Sequence, residues 1–163
     1  MPLKRVYLSL GSNVGEREEN LQRALRALER ENIRVLAQSS IYETEPQGML
    51  QQRWFLNVAV ECETRHFPLQ LLSVIERIQR ELGRERRSGA VRWGPRAIDI
   101  DILLFGNAVM TTAQLTIPHP RMLERRFVLE PLLEIAPGLR HPATREPFSK
   151  YLGKVAGQKV RKA

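Results

Sequence analysis

An antiparallel α+β sandwich is predicted by three observations. Four runs alternate apolar and polar residues, the period of a β-strand. Two further runs repeat apolar residues at i, i+3, i+4 and i+7, the period of an amphipathic helix. The six follow one another as strand, helix, strand, strand, helix, strand, the split βαβ order of a ferredoxin-like sandwich. That arrangement packs helices on one face of the sheet and leaves the other face for an active site. The chain of 163 residues, 42% apolar and 27% charged, is read as one such domain.

Val6, Leu8 and Leu10 define the first strand, and Gly11-Ser12-Asn13 reads as a turn. A helix begins near Glu16, with Leu21, Ala24, Leu25 and Leu28 on one stripe. Ile33, Val35 and Ala37 predict a second strand running toward Tyr42, and Glu43 to Gln52, holding Pro46 and Gly48, a loop. Phe55 to Glu63 is the third strand: Leu56, Val58, Val60 and Cys62 share one face, and Phe55, Asn57 and Ala59 the other. Pro68 to Leu82 is the second helix, with Pro68 suited to its first turn and Gly83 to its C-cap. Arg84 to Ala90 is a charged loop, expected to be mobile and to close over bound substrates.

The fourth strand contains Ile98 to Leu104 and turns at Gly106-Asn107; a short strand near Leu115-Thr116-Ile117 follows. Pro118-His119-Pro120 leads into a helical stretch from Met122 to Leu129, continued past Pro131 to Ile135. The basic tail from Gly157 to Ala163 is expected to fray.

The formal net charge of +8 favours polyanionic ligands, whether nucleotide phosphates or nucleic acid. Arg84, Arg86, Arg87, Arg92, Arg96, Arg121, Arg125 and Arg126 supply the share that clusters in sequence around two acids. Cys62 is the only cysteine, so no internal disulfide can form and a reducing, cytoplasmic setting is expected. No apolar run reaches membrane-spanning length and the N-terminus has no signal-peptide core, so no membrane association is expected. Nothing in the sequence demands a partner chain, and a monomer is the expectation.

The two acids are Asp99 and Asp101, in the run Arg92-Trp93-Gly94-Pro95-Arg96-Ala97-Ile98-Asp99-Ile100-Asp101-Ile102. Residues two apart on a strand share a face, so both carboxylates point one way with Cα atoms roughly 6.6 Å apart. Ile98, Ile100 and Ile102 point the other way, into a core. Paired acids on a rigid element, preceded by arginines, suit hard cations that bridge phosphates; a solvated acidic face is the alternative.

Gly11-Ser12-Asn13-Val14-Gly15 lacks the lysine of a P-loop and reads as a structural turn. No Cys/His group has zinc spacing, and no nucleophile elbow is present. His119, held between two prolines, either binds phosphate or packs. Arg121 and Arg125 would share a helix face, solvated or clamping phosphate. Phe55 beside Asn57 either lines an exposed sheet or binds a flat heterocycle, the ring stacking and the amide reading its edge.

Four blocks in order resemble the 6-hydroxymethyl-7,8-dihydropterin pyrophosphokinases of folate biosynthesis over nearly the whole chain. They are Leu8-Ser9-Leu10-Gly11-Ser12-Asn13; Tyr42-Glu43-Thr44-Glu45-Pro46 with Phe55-Leu56-Asn57; Arg92 to Asp101; and Pro118-His119-Pro120-Arg121-Met122 with Arg125, Phe127-Val128-Leu129 and Pro131-Leu132. The resemblance implies a ferredoxin-like fold, two Mg²⁺ ions, ATP as co-substrate, and transfer of its terminal pyrophosphoryl group to the pterin hydroxymethyl oxygen with release of AMP. It implies that Asp99 and Asp101 hold both metals. Arg84, Arg86, Arg96, His119 and Arg125 are implied to contact the triphosphate, and Gln79, Ile102 and Thr116 to line the nucleotide site. Thr44, Glu45, Pro46, Gln47, Phe55, Asn57, Asp99 and Phe127 are implied at the pterin, with Phe55 and Phe127 sandwiching its ring. Trp93 is implied to close over both ligands. Glu45 and Gln47 stand where some members carry apolar residues or proline, and Phe55 replaces a tyrosine seen in some.

The competing class is a basic ferredoxin-like nucleic-acid-binding module. Its central strands would carry an aromatic-rich RNP pattern, which this chain lacks, and the two acids would repel a phosphate backbone. No nucleic-acid partner is therefore expected.

Overall fold

The computed structural model describes residues 2–46, 53–83 and 97–163. The expected mobile loop from Arg84 to Ala90, the segment Arg92 to Arg96 and the site candidate Gln47 lie outside the described residues.

Strand β1 (Lys4–Ser12) buries Val6, Leu8 and Leu10 against helix α1 (Arg17–Arg30), whose buried stripe is Leu21, Ala24, Leu25 and Leu28. Glu18 and Glu19 in its first turn and Arg30 in its last complement the helix dipole. Asn32, at a φ of 65°, takes the left-handed position that ends the helix, which asparagine tolerates well. Gly11 and Ser12 belong to β1 rather than to a turn; Asn20 in α1 donates to Ser12 Oγ at 3.1 Å and to the Val14 carbonyl at 2.8 Å, and so fastens the chain reversal.

The expected second strand is two: β2 (Ile33–Gln38) and β3 (Tyr42–Thr44), both pairing antiparallel with β4 (Phe55–Thr64). The break has a local cause. Ser39 Oγ accepts the Ala59 N–H at 2.9 Å, a side chain standing in for a ladder carbonyl. Glu43 and Thr44, expected in a loop, are thereby in a strand.

Helix α2 (Pro68–Gly83) buries Leu71, Ile75 and Ile78 beside α1, and β5 (Asp99–Phe105) pairs antiparallel with β1 at the sheet edge. Counting β2 and β3 as one interrupted strand, the sheet order is fourth, first, third, second, as a ferredoxin-like sandwich requires. A short hairpin, β6 (Met110–Thr111) with β7 (Thr116–Ile117), follows.

The first core lies between the sheet and α1–α2, and contains Leu8, Leu10, Val58, Cys62, Ile100 and Ile102. Cys62 is fully buried there, and burial pushes its thiol up to about 12. The opposite face is not bare, as the expected sandwich had it. Helix α3 (Arg126–Ile135) and a 3-10 helix over Phe148–Val155 cover part of it, burying Met122, Leu129, Leu132 and Phe148 against Ala59 and Leu103.

Two further expectations are corrected. The stretch from Met122 is not one helix: a 3-10 turn (Met122–Glu124) ends at Arg125, whose extended backbone (φ −124°, ψ 108°) separates it from α3. Arg121 and Arg125 consequently do not share a helix face. The tail, expected to fray, carries a strand. Strand β8 (Val160–Lys162) pairs with the outer edge of β3, whose backbone groups would otherwise have no partner strand there. Arg161 adds an ion pair to Glu43 at 2.8 Å and lies 4.9 Å over the Trp54 ring.

Candidate active site

Strand register assembles the site. Asp99 pairs with Gly11, Gly11 with Asn57, and Asn57 with Tyr42, so these four residues form one row across the sheet. Asp101, Ser9 and Ala59 form the next row on the same face. Asn57 is two strands from Asp99, roughly 10 Å by the spacing of neighbouring strands. Ile100 and Ile102 point into the opposite core, as the alternation predicts.

The acids are carried on an edge strand that is fastened from behind. Gln79 of α2 accepts the Ile100 N–H on its Oε1 at 2.7 Å, between the two acids in sequence. His119 donates its backbone N–H to the Leu103 carbonyl of β5 at 2.9 Å, so the Pro118–Pro120 segment runs along the same strand. The imidazole Nδ1 accepts the Arg121 N–H at 3.1 Å, which leaves the proton of a neutral ring on Nε2. Burial lowers the His119 pKa below its usual 6.5; Asp101 pulls the other way, and Arg125 and Arg121 reinforce the burial.

Arg125 completes this end. Burial and Arg121 lower its pKa, Asp101 and Glu124 oppose them, and its guanidinium lies 5.5 Å from the centre of the Phe127 ring. The structure therefore brings Asp101, His119 and Arg125 into mutual electrostatic reach. Arg121 instead points to solvent and makes a 3.9 Å ion pair with Glu124.

The other end is a polar floor with aromatic neighbours. Asn57 Nδ2 donates to Thr44 Oγ1 at 2.5 Å, and both residues are buried. A Cβ on residue 11 would stand 2.7 Å from Asn57 Oδ1 and 3.5 Å from Phe55, so glycine is required for the amide to cross β1. Phe55 is half-buried opposite Thr44, and Phe127 is half-buried at the start of α3, on the same side of the sheet. Glu45 is half-buried and Pro46 buried directly after β3. Thr116 lies half-buried in β7, while the Ile102 side chain is in the first core, turned away from the acids. Arg84, Arg86, Arg96, Trp93 and Gln47 lie outside the described residues.

Gly11 is a site residue inside β1 that its turn-like Gly-Ser-Asn context conceals, although a glycine inside an alternating strand signals close backbone approach. The sequence also conceals Glu134, which binds Tyr42 Oη at 2.6 Å and the Ser40 N–H at 2.8 Å, and so joins α3 to the β2–β3 connection. No local pattern announces a contact across so long a stretch of chain.

The family model for 7,8-dihydro-6-hydroxymethylpterin-pyrophosphokinase matches residues 7–137. The chain belongs to this family. It is 49% identical over 139 residues to the 2-amino-4-hydroxy-6-hydroxymethyldihydropteridine pyrophosphokinase of Bacillus subtilis, covering 85% of this chain and 81% of that one. The namesake enzyme of Aquifex aeolicus is 41% identical, covering 90% and 89%. The folic acid synthesis protein fol1 of Schizosaccharomyces pombe is 44% identical over 97% of this chain, which spans 21% of that protein. The HPPK-DHPS chain of Plasmodium falciparum solved with pteroate has a TM-score of 0.75 at 16% identity; the match covers 94% of this chain and 44% of that one, and at this identity shows the fold. The family's activity is this chain's: it is a pyrophosphokinase of folate biosynthesis that transfers the pyrophosphoryl group of ATP to 6-hydroxymethyl-7,8-dihydropterin and releases AMP. No helix among the described residues is long and apolar enough to cross a membrane.

Proposed function

We propose that Asp99 and Asp101 hold two Mg²⁺ ions, with ATP reaching from them toward His119 and Arg125 and the pterin over Asn57 and Thr44. The observation that supports this is the shared face of the two acids, in register with Gly11 and Asn57 on one side and close to His119 and Arg125 on the other.

The donor set suits the ion. Two carboxylates are hard oxygen ligands, and among the described residues no cluster of three or more His, Cys, Asp or Glu forms a closed cage. A pair of acids leaves the remaining coordination to phosphate oxygens and water, the usual arrangement for magnesium. When bound, the ions supply positive charge against the triphosphate.

The chain's own residues bind and orient. Neutral His119 offers its Nε2–H to a phosphate oxygen, and Arg125 offers its guanidinium fork. Asn57 and Thr44 present a fixed polar edge to the heterocycle, and Phe55 and Phe127 supply stacking surface. Family pattern alone assigns triphosphate contacts to Arg84, Arg86 and Arg96, nucleotide-site positions to Gln79, Ile102 and Thr116, pterin contacts to Glu45, Pro46 and Gln47, and the closing of the site to Trp93. The pterin hydroxymethyl oxygen attacks the β-phosphorus in line. The bond from that phosphorus to the oxygen bridging to the α-phosphorus breaks, AMP leaves with the electron pair, and the hydroxymethyl proton passes to solvent. No side chain is assigned as a base; positioning and charge stabilisation carry the step. The chain works as one domain, as a monomer and in the cytoplasm.

The deciding experiment measures AMP release from ATP and the pterin in Asp99→Ala and Asp101→Ala. Each is expected to lose at least about a hundredfold in kcat, on the scale of losing a key charge-stabilising group. Chelation of divalent ions should abolish wild-type turnover and added Mg²⁺ restore it. Turnover in both variants within a few-fold of wild type would refute the metal assignment.

A further inference from the structure

The segment joining the 3-10 helix at Phe148–Val155 to β8 lies beyond the residues matched by the family model. One of its side chains grips the backbone on both sides of Arg125. Gln158 Oε1 accepts the Arg126 N–H at 2.8 Å, and Gln158 Nε2 donates to the Glu124 carbonyl at 2.7 Å. These are the groups that the break at Arg125 strands. The Arg126 N–H is the first of α3 and has no partner within the helix. The Glu124 carbonyl ends the preceding 3-10 turn. A single primary amide, donor at one atom and acceptor at the other, satisfies both at once.

The grip is itself anchored. The Gln158 carbonyl accepts from Arg126 Nη1 at 2.7 Å, and the neighbouring Lys159 carbonyl accepts the Glu45 N–H at 3.2 Å. Val160 then pairs with Thr44. The segment therefore ties the base of Arg125 to the strand that carries Thr44.

From this we infer that Gln158 is a positioning residue for pyrophosphoryl transfer: it fixes the backbone from which Arg125 reaches the nucleotide. The inference rests on the proposed contact of Arg125 with the triphosphate, and it goes further by naming the residue that holds that contact in place. A flexible arginine would have to be ordered on each binding event, and the amide removes that cost in advance.

A double-mutant cycle in the full chain tests it. Binding of Mg²⁺ with a non-hydrolysable ATP analogue is measured calorimetrically for wild type, Gln158→Ala, Arg125→Ala and the double variant, with thermal melts alongside. Gln158→Ala is expected to weaken analogue binding about tenfold, the scale of one to two net hydrogen bonds. In the Arg125→Ala background the same change should have no further effect, since a residue acting through Arg125 has nothing left to position. Gln158→Glu keeps the acceptor for Arg126 and loses the donor to Glu124, so it should fall between, and it serves if the alanine variant does not fold. Lys159→Ala, in the same segment, should leave analogue affinity unchanged. Equal losses from Gln158→Ala in both backgrounds would overturn the inference, as would an unchanged affinity in Gln158→Ala when Arg125→Ala binds weakly. If Arg125→Ala itself binds normally, the proposed phosphate contact fails and the positioning role falls with it.

Discussion

Gln79 accepts the Ile100 N–H at 2.7 Å, so a helix side chain closes the edge of the strand between the two acids proposed to hold magnesium. An edge strand is the weakest place in a sheet to mount a charged pair, because half of its backbone groups have no neighbouring strand. The Gln79 amide supplies one missing partner at the point where the spacing of the acids is set. Gln79→Leu should leave that N–H without an acceptor and destabilise the protein by about 1–3 kcal/mol, the usual cost of stranding a buried polar group. Hydrogen exchange at the Ile100 amide should accelerate well beyond that of Leu10 on the paired strand; equal protection in the variant and wild type would contradict the role.

Gly11→Ala tests the polar floor. The new methyl would stand 2.7 Å from Asn57 Oδ1, closer than real contacts allow, and Asn57 is held on its other side by Thr44. The amide must rotate or the strands must part. Pterin affinity should fall about tenfold or more and stability by about 1–3 kcal/mol, with nucleotide binding little changed. Calorimetry with each ligand separately checks the split.

The Glu134 clasp makes acid stability predictable in sign. Burial alone would raise its pKa, but hydrogen bonds from Tyr42 and Ser40 outweigh that and hold it below the ordinary 4.5. A lowered carboxyl stabilises the fold fully above its unfolded value, and the contribution is lost as pH falls through the folded one. The melting temperature of wild type should therefore drop more steeply below about pH 4.5 than that of Glu134→Gln, whose amide does not titrate in this range. Parallel curves would show that the clasp carries no linkage.

His119 should titrate below 6.5, with Nδ1 as the acceptor of the Arg121 N–H and the proton on Nε2. Protonation as pH falls would place a hydrogen on Nδ1 and break that bond, so folded protein resists it. Nitrogen chemical shifts of the ring, followed from pH 8 to 5, report both the tautomer and the midpoint. A midpoint above 6.5 would mean that Asp101 outweighs burial.

Much of this was legible in the amino-acid order because a strand has period two. Asp99 and Asp101 had to face together, and Ile100 and Ile102 had to face away, whatever the partners. What was not legible depended on side chains substituting for backbone. Ser39 interrupts the second strand by accepting from Ala59, and nothing in Gln38-Ser39-Ser40 marks that break. Val160-Arg161-Lys162 shows no alternation of its own and becomes a strand because β3 offers it an edge. The helix expected from Met122 is split where Gln158, distant in sequence, takes up the groups on either side of Arg125. Gly11 was misread because Gly-Ser-Asn has the composition of a turn, whereas its reason is the amide of Asn57 lying across it.

The sole sulfhydryl sits sealed between the sheet and the first two helices, protonated far above neutral pH. Reagents that attack thiolates can reach it only in molecules whose sandwich has come apart. Alkylation rate thus becomes a clock for global opening, and ligands that tighten the enzyme should slow it without any label having been engineered in.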